Sequence, residues 1–172
     1  AKAADESFFL HYLYAVLRAV NEIPEFRFRI DAEGRVVYFD HVDMLTPIKV
    51  KENGRFFTIR LPWNTDFQTF YTTAKAIIND IDPNGNPYDM EKVGGKDLLD
   101  VILLSATPDL YFTSLTCTQE HRHGSNYPLM NAGKAILKEG KLVMPIAMTI
   151  HHGFIDGHHL SLFYKKVEKF LK

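Results

Sequence analysis

The side chains best suited to moving a proton crowd into one run, Ile150-His151-His152-Gly153-Phe154-Ile155-Asp156-Gly157-His158-His159. A neutral imidazole, whose unperturbed pKa lies near ~6.5, accepts a proton at physiological pH. The β-rich residues 143–150 lead directly into the two histidines. A strand end holds a general base rigidly against a cleft. Asp156 follows His152 by four positions and could orient the ring or brace the turn, while Gly153 and Gly157 permit backbone angles that other residues resist. The spacing His-His-x3-Asp-Gly after an apolar strand therefore points to a general base among these histidines. His151 is expected to be a packed, hydrogen-bonded strand residue.

Histidines also bind metals, and His121-x-His123 together with His151, His152, His158 and His159 raises that alternative. Neighbours on a strand point to opposite faces, so His151 and His152 cannot easily share one ion, and no metal is expected. The single cysteine, Cys117, excludes an intrachain disulfide framework and a multi-cysteine zinc site. With no base identified beside it, Cys117 reads as a small core residue rather than a nucleophile. Gly94-Gly95-Lys96 lacks the remaining spacing of a phosphate loop, so nucleotide hydrolysis is not expected.

Twenty basic residues against 21 acidic ones give a net charge of -1, which supplies no long-range attraction for nucleic acid or an anionic membrane. No window approaches the ~18 to 20 apolar residues of a membrane-spanning helix, and the first six residues lack the regions of a secretion signal. One cysteine fits a reducing compartment, and a cytoplasmic setting is expected.

The elements that must position these residues follow from periodicity. At 172 residues the chain is expected to form a single domain. Residues 5–20 are apolar around most of a helical wheel, with Asp5 or Ser7 as cap and Pro24 as the stop. Residues 26–30 and 36–39 flank Asp31-Ala32-Glu33-Gly34 as a hairpin, and residues 48–51 and 56–61 flank Glu52-Asn53-Gly54 as another. Asp66 caps a helix through residue 81, with Phe67, Phe70, Ala74 and Ile77 or Ile78 on its core side. A loop-rich connection with a short helix from Asp89 follows. Residues 101–105, 110–117, 135–137 and 143–150 are β-rich, and residues 160–171 form a closing amphipathic helix. This irregular alternation predicts an α+β fold, a mixed α/β two-layer sandwich whose mixed sheet carries helices mainly on one face.

The run His151-His152-Gly153-Phe154-Ile155-Asp156-Gly157 resembles the signature of chloramphenicol acetyltransferases of the coenzyme A-dependent, trimeric type. Ser7-Phe8-Phe9, Ala19-Val20-Asn21-Glu22 and Phe26-Arg27-Phe28-Arg29-Ile30 resemble that family's early helix and strand. Ser105-Ala106-Thr107-Pro108 resembles its Ser-Ala-x-Pro segment, so the similarity runs over nearly the whole chain.

The resemblance implies an O-acetyltransferase in which His152 deprotonates a hydroxyl of chloramphenicol or a related small molecule. That oxygen then attacks acetyl-CoA, with no acyl-enzyme, and Ser105 steadies the oxyanion. It also implies that Phe56 lines an aromatic pocket, that Asn131 sits where the family has a threonine that helps to hold a water, and that Lys134 meets the entering acetyl-CoA. Asp156 becomes a buried structural carboxylate whose arginine partner would precede Ala1, a position at which the chain lacks the family's N-terminal segment. A homotrimer with sites at its subunit interfaces follows from the same resemblance.

Three departures bear on the acceptor: Asp109 where the family commonly has tryptophan, Leu103 in place of an asparagine, and a polar stretch at residues 115–123. Dihydrolipoyl acyltransferase cores and peptide-synthetase condensation domains share the shorter His-x3-Asp-Gly motif, but the surrounding segments resemble them less. A relative that binds a small molecule or coenzyme A without catalysis is the alternative reading. Acyl transfer to a carrier-bound amine or dithiol is a third.

Overall fold

Pattern alternation along the strands decides which side of the molecule is solid core and which side is left for a site. The structure, a computed structural model, describes residues 6–87, 89–95, 98–116 and 126–172. Helix α1 (Phe8–Asn21) is apolar nearly all round, and Leu13, Val16, Leu17, Ala19 and Val20 are fully buried. Ser7 sits at its N-cap and uses its backbone N–H, donated to the Tyr71 hydroxyl at 3.0 Å. Pro24 opens a short 3-10 turn (Pro24–Arg27) that leads into an antiparallel pair, β1 (Phe28–Ile30) and β2 (Val36–Tyr38).

Strands β3 (Asp43–Lys49) and β4 (Phe56–Leu61) form the second hairpin. Helix α2 (Phe67–Asn79) begins at Asp66, whose carboxylate accepts the Thr69 N–H at 2.9 Å. The short helix α3 (Met90–Val93) ends at Gly94, where φ is 113° and an added Cβ would collide with the Arg60 guanidinium. Strands β5 (Val101–Ala106) and β6 (Leu129–Ala132), the small hairpin β7 (Ile136–Lys138) and β8 (Lys141–Val143), strand β9 (Ile146–Thr149) and helix α4 (Gly157–Phe170) complete the chain. Among the described residues no helix is long and apolar enough to cross a membrane.

The main sheet has the order β4-β3-β5-β6-β9, with β3, β5 and β6 parallel and both edge strands antiparallel, as a mixed sheet requires. Met44, Ile59, Leu61, Ile102, Leu104, Met130 and Ala132 face one way and pack with α1, with Phe70 and Ala74 of α2, and with Phe163 and Val167 of α4. The two-residue period then turns Leu103, Ser105, Leu129, Asn131, Ala147 and Thr149 to the opposite face. A small apolar cluster of Leu45, Val93 and Val101 is buried there, beside α3. Arg60 on β4 clamps that end: its guanidinium donates to Asp43 and to Asp100, each at 2.7 Å, while Asp43 also accepts the Trp63 N–H at 2.8 Å.

Four expectations about strands need correction. Residues 110–116 form no strand; instead the Leu110 N–H donates to the Thr107 carbonyl and the Leu110 carbonyl accepts from Lys134, a turn-like path after Pro108. Strand β6 was not anticipated, because its four residues include Asn131 and Ala132 and carry little β propensity of their own. Residues 143–150 divide into β8 and β9 at Pro145, which has no N–H to continue a ladder. Strand β3 also starts earlier than its hairpin pattern suggested, and it leaves β5 after Leu45, just before Pro47.

Candidate active site

Strand β9 ends at Thr149, and the chain then turns so that the carbonyl of His151 accepts the N–H groups of Phe154 (3.0 Å) and Ile155 (3.1 Å). Within that turn the His152 side chain is exposed, with Nδ1 3.3 Å from the carbonyl oxygen of Ile155. A carbonyl can only accept, so this contact favours the tautomer of the neutral ring with the proton on Nδ1 and the lone pair on Nε2. Ile155 itself is anchored in the core at 3% exposure.

His151 departs from the expected hydrogen-bonded strand residue. It lies beyond β9, its ring packs at a tilt against Phe154 at 4.8 Å, and its buried Nδ1 has no hydrogen-bond partner among the described residues. Gly153 makes room for that ring, since a Cβ there would stand 2.9 Å from His151 Cε1.

Asp156 is the N-cap of α4 rather than a buried carboxylate deprived of a partner. Its side chain is exposed and accepts the N–H groups of His158 (2.9 Å) and His159 (3.2 Å), and His159 Nδ1 accepts the Asp156 N–H at 3.1 Å. The backbone N–H of His159, followed by that of His158 and the nearby imidazoles, holds the Asp156 carboxyl below its ordinary 3.8 even though partial desolvation opposes this. The helix start supplies what an arginine would: donors and a positive end.

Ser105 stands level with Asn131 on β6 and Ala147 on β9, a row on the less covered face of the sheet. Asn131 is buried, and its side-chain oxygen accepts the Thr107 hydroxyl at 2.9 Å. Thr107, a partner of Asn131 that the sequence reading did not single out, is signalled only by its place inside Ser105-Ala106-Thr107-Pro108. Phe56 is opposite Lys49 at the start of β4 and is 56% exposed, with the Lys49 ammonium 6.0 Å from its ring. Lys134 is exposed, with its backbone fixed through the Leu110 carbonyl at 2.7 Å.

Within one chain Ser105 and His152 are not brought together. Two strand spacings, about 10 Å, separate Ser105 from Ala147, and His152 lies further on, past the end of β9. No group of three or more His, Cys, Asp or Glu that could hold a metal occurs among the described residues. Cys117, His121 and His123, and most of the polar stretch, lie outside the described residues.

A sequence model of the family described as chloramphenicol acetyltransferase matches residues 1–168. The chain belongs to the chloramphenicol acetyltransferase family. Among curated relatives, the chloramphenicol acetyltransferase of Clostridium butyricum is 27% identical over 168 residues, covering 98% of this chain and 75% of the relative. That of Staphylococcus intermedius is 26% identical over 162 residues, covering 93% and 73%. A solved structure named chloramphenicol acetyltransferase is 70% identical with a TM-score of 0.93, covering all of this chain and 81% of its own. The cubic core of the pyruvate dehydrogenase multienzyme complex matches with a TM-score of 0.61 at 16% identity over 99% of this chain and 71% of its own, a likeness of fold alone. As a member of the chloramphenicol acetyltransferase family, the protein is an acyltransferase with the expected α+β fold.

Proposed function

We propose that the protein is a chloramphenicol O-acetyltransferase working by general base catalysis between subunits of a homotrimer. The observation that carries the reading is the exposed His152 ring whose Nδ1–H is engaged by the Ile155 carbonyl, leaving Nε2 as the proton acceptor. In this reading His152 takes the proton of the acceptor hydroxyl as its oxygen forms a bond to the thioester carbonyl of acetyl-CoA. The Ser105 hydroxyl donates to the oxygen on which negative charge develops. Collapse of the tetrahedral intermediate breaks the carbon–sulfur bond, and the His152 imidazolium returns its proton to the departing thiolate. No acyl-enzyme forms.

Phe56 offers an apolar wall for the acceptor, Asn131 steadies the row that contains Ser105, and Lys134 offers a cation for the phosphates of acetyl-CoA. The separation of Ser105 and His152 within a chain supports a site completed by a second copy. A chain of net charge -1 with a lone cysteine suits a reducing cytoplasm and a small-molecule acceptor.

The test is release of thiol from acetyl-CoA with chloramphenicol and a panel of other hydroxyl compounds. Release with chloramphenicol is expected, falling ~100- to 10,000-fold in a His152→Ala variant. Binding of acetyl-CoA with no release for any acceptor would refute the reading in favour of a non-catalytic binder. Release confined to carrier-bound amines or dithiols would refute the choice of acceptor.

A further inference from the structure

The 3.3 Å separation between His152 Nδ1 and the Ile155 carbonyl is long beside the ~2.9 to 3.0 Å typical of N–H···O bonds, so that bond alone holds the ring weakly. The ring's placement therefore also depends on the turn that carries it. Its two flanking side chains meet each other: the rings of His151 and Phe154 are 4.8 Å apart and tilted by 33°. Among the described residues His151 Nδ1 has no hydrogen-bond partner, and this ring contact and the missing Cβ of Gly153 shape the space its ring occupies.

The file of rings continues away from the site. Phe154 stacks on Phe28 of β1 at 5.7 Å, and Phe28 meets Tyr38 of β2 at 4.9 Å across a register pair of the small hairpin. The Arg27 guanidinium closes the file 4.9 Å from the Tyr38 ring, and Arg27 also donates to the carbonyls of Phe39 and Asp40. A separate two-stranded sheet therefore braces the turn that carries the base.

We infer that Phe154, backed by Phe28, is a positioning residue that fixes the orientation and tautomer of His152 by clamping His151 from the far side of the turn. The inference rests on the general-base reading of His152. Neither phenylalanine touches the reacting atoms; each acts through the rings between it and the turn. Loss of the Phe154 ring frees His151 to rotate, loosens the two hydrogen bonds accepted by the His151 carbonyl, and lets the Ile155 carbonyl drift from Nδ1.

The test compares Phe154→Val, Phe154→Tyr and Phe28→Leu in the whole chain, with acetyl-CoA and chloramphenicol as substrates. Phe154→Val is expected to lower kcat roughly 10- to 100-fold, the usual cost of a displaced catalytic group, with KM for both substrates nearly unchanged. Phe154→Tyr, which keeps a ring, restores kcat. Phe28→Leu gives a smaller loss in kcat, and combining it with Phe154→Val adds little, because both act through one contact chain.

Side-chain 15N spectra provide a readout independent of turnover. A single Nδ1–H tautomer of His152 is expected in the unaltered chain and in Phe154→Tyr, and a mixture in Phe154→Val. A Phe154→Val protein with unchanged kcat and a single tautomer would overturn the inference, as would a loss confined to KM. Should Phe154→Val fail to fold, an unchanged kcat and tautomer in Phe28→Leu overturn it equally. A shifted tautomer beside undiminished acetyl transfer by His152→Ala would sink the general-base reading while leaving the positioning role standing.

Discussion

The Nδ1 atom of His152 faces the carbonyl oxygen of Ile155, three residues ahead and buried in the core, so the protonation pattern of an exposed ring is set from the interior. This relationship distinguishes the two ring nitrogens. One is a donor committed to the backbone, and the other is left with a lone pair toward solvent.

A His152→Asn variant separates these roles. The asparagine amide can reproduce the Nδ1 donor to Ile155 but has no base at the Nε2 position. Its far-UV circular dichroism and melting temperature should match those of the unaltered protein, while turnover falls ~100-fold or more. Retained turnover would show that Nε2 is not the proton acceptor.

Ser105 lies on β5 and His152 past the end of β9, two strands away, which makes their partnership a question about copies. Ser105→Ala should lower kcat on the order of 100-fold with little change in acetyl-CoA affinity. Refolding equal amounts of Ser105→Ala and His152→Ala chains together should regenerate about a quarter of full activity if each site draws the two residues from different subunits. A mixture as inactive as its parents would place both residues in the same chain's site or disprove one of them.

Asn131 and Thr107 join β6 to the segment after β5 through one buried hydrogen bond of 2.9 Å. Asn131→Ala and Thr107→Val should each reduce stability to urea by about 1 kcal/mol, and a double-mutant cycle should give a coupling of similar size. Additive losses would mean that the bond contributes nothing of its own.

Arg60, Asp43 and Asp100 form a network in which both carboxylates raise the guanidinium pKa against the opposing effect of burial. Asp43 is nearly buried, so Asp43→Ala leaves the Trp63 N–H without its acceptor and leaves Arg60 paired with Asp100 alone. A loss of about 2 kcal/mol in chemical denaturation is expected, chiefly for the unsatisfied N–H. Asp43→Asn keeps an acceptor for Trp63 and should lose less.

The Asp156 carboxyl has a folded-state pKa below its ordinary 3.8, chiefly through the backbone N–H of His159. A depressed carboxylate pKa contributes stability that is present above the unfolded value and disappears as pH falls through the folded one. Asp156→Ala should therefore melt at a lower temperature than the unaltered protein at pH 7. The difference should shrink below pH 3.8 and vanish once the carboxyl protonates in the folded chain. A gap independent of pH would remove the charge from the cap's role.

Helix α2 shows how far local signals reach: Asp66 marks its start, and the spacing of Phe70 and Ala74 marks its buried side, all within one stretch of chain. Gly34 and Gly54 likewise mark their hairpins, because both adopt the positive φ that a tight turn asks for. Strand β6 was invisible by the same logic. Leu129-Met130-Asn131-Ala132 becomes a strand because β5 and β9 flank it and supply its ladder, which no window of its own residues can reveal. Asp156 shows the converse, for its kind and place were legible but its partner was not: the start of α4 satisfies the carboxylate where an arginine was expected.

Sequence alone determined the residue types that can move a proton, the doubled histidine and its spacing to Asp156, and the helices and hairpins whose periodicity is local. Only the tertiary structure decided that His151 lies beyond the strand without a hydrogen-bond partner at Nδ1 among the described residues, that His152 Nδ1 faces the Ile155 carbonyl, and that Ser105 and His152 stand two strands apart in a single chain. The reason is range. Periodicity, caps and turns act over a few residues, whereas burial, tautomer and separation depend on contacts such as Phe28 with Phe154 and Ser105 with Asn131, which join distant parts of the chain.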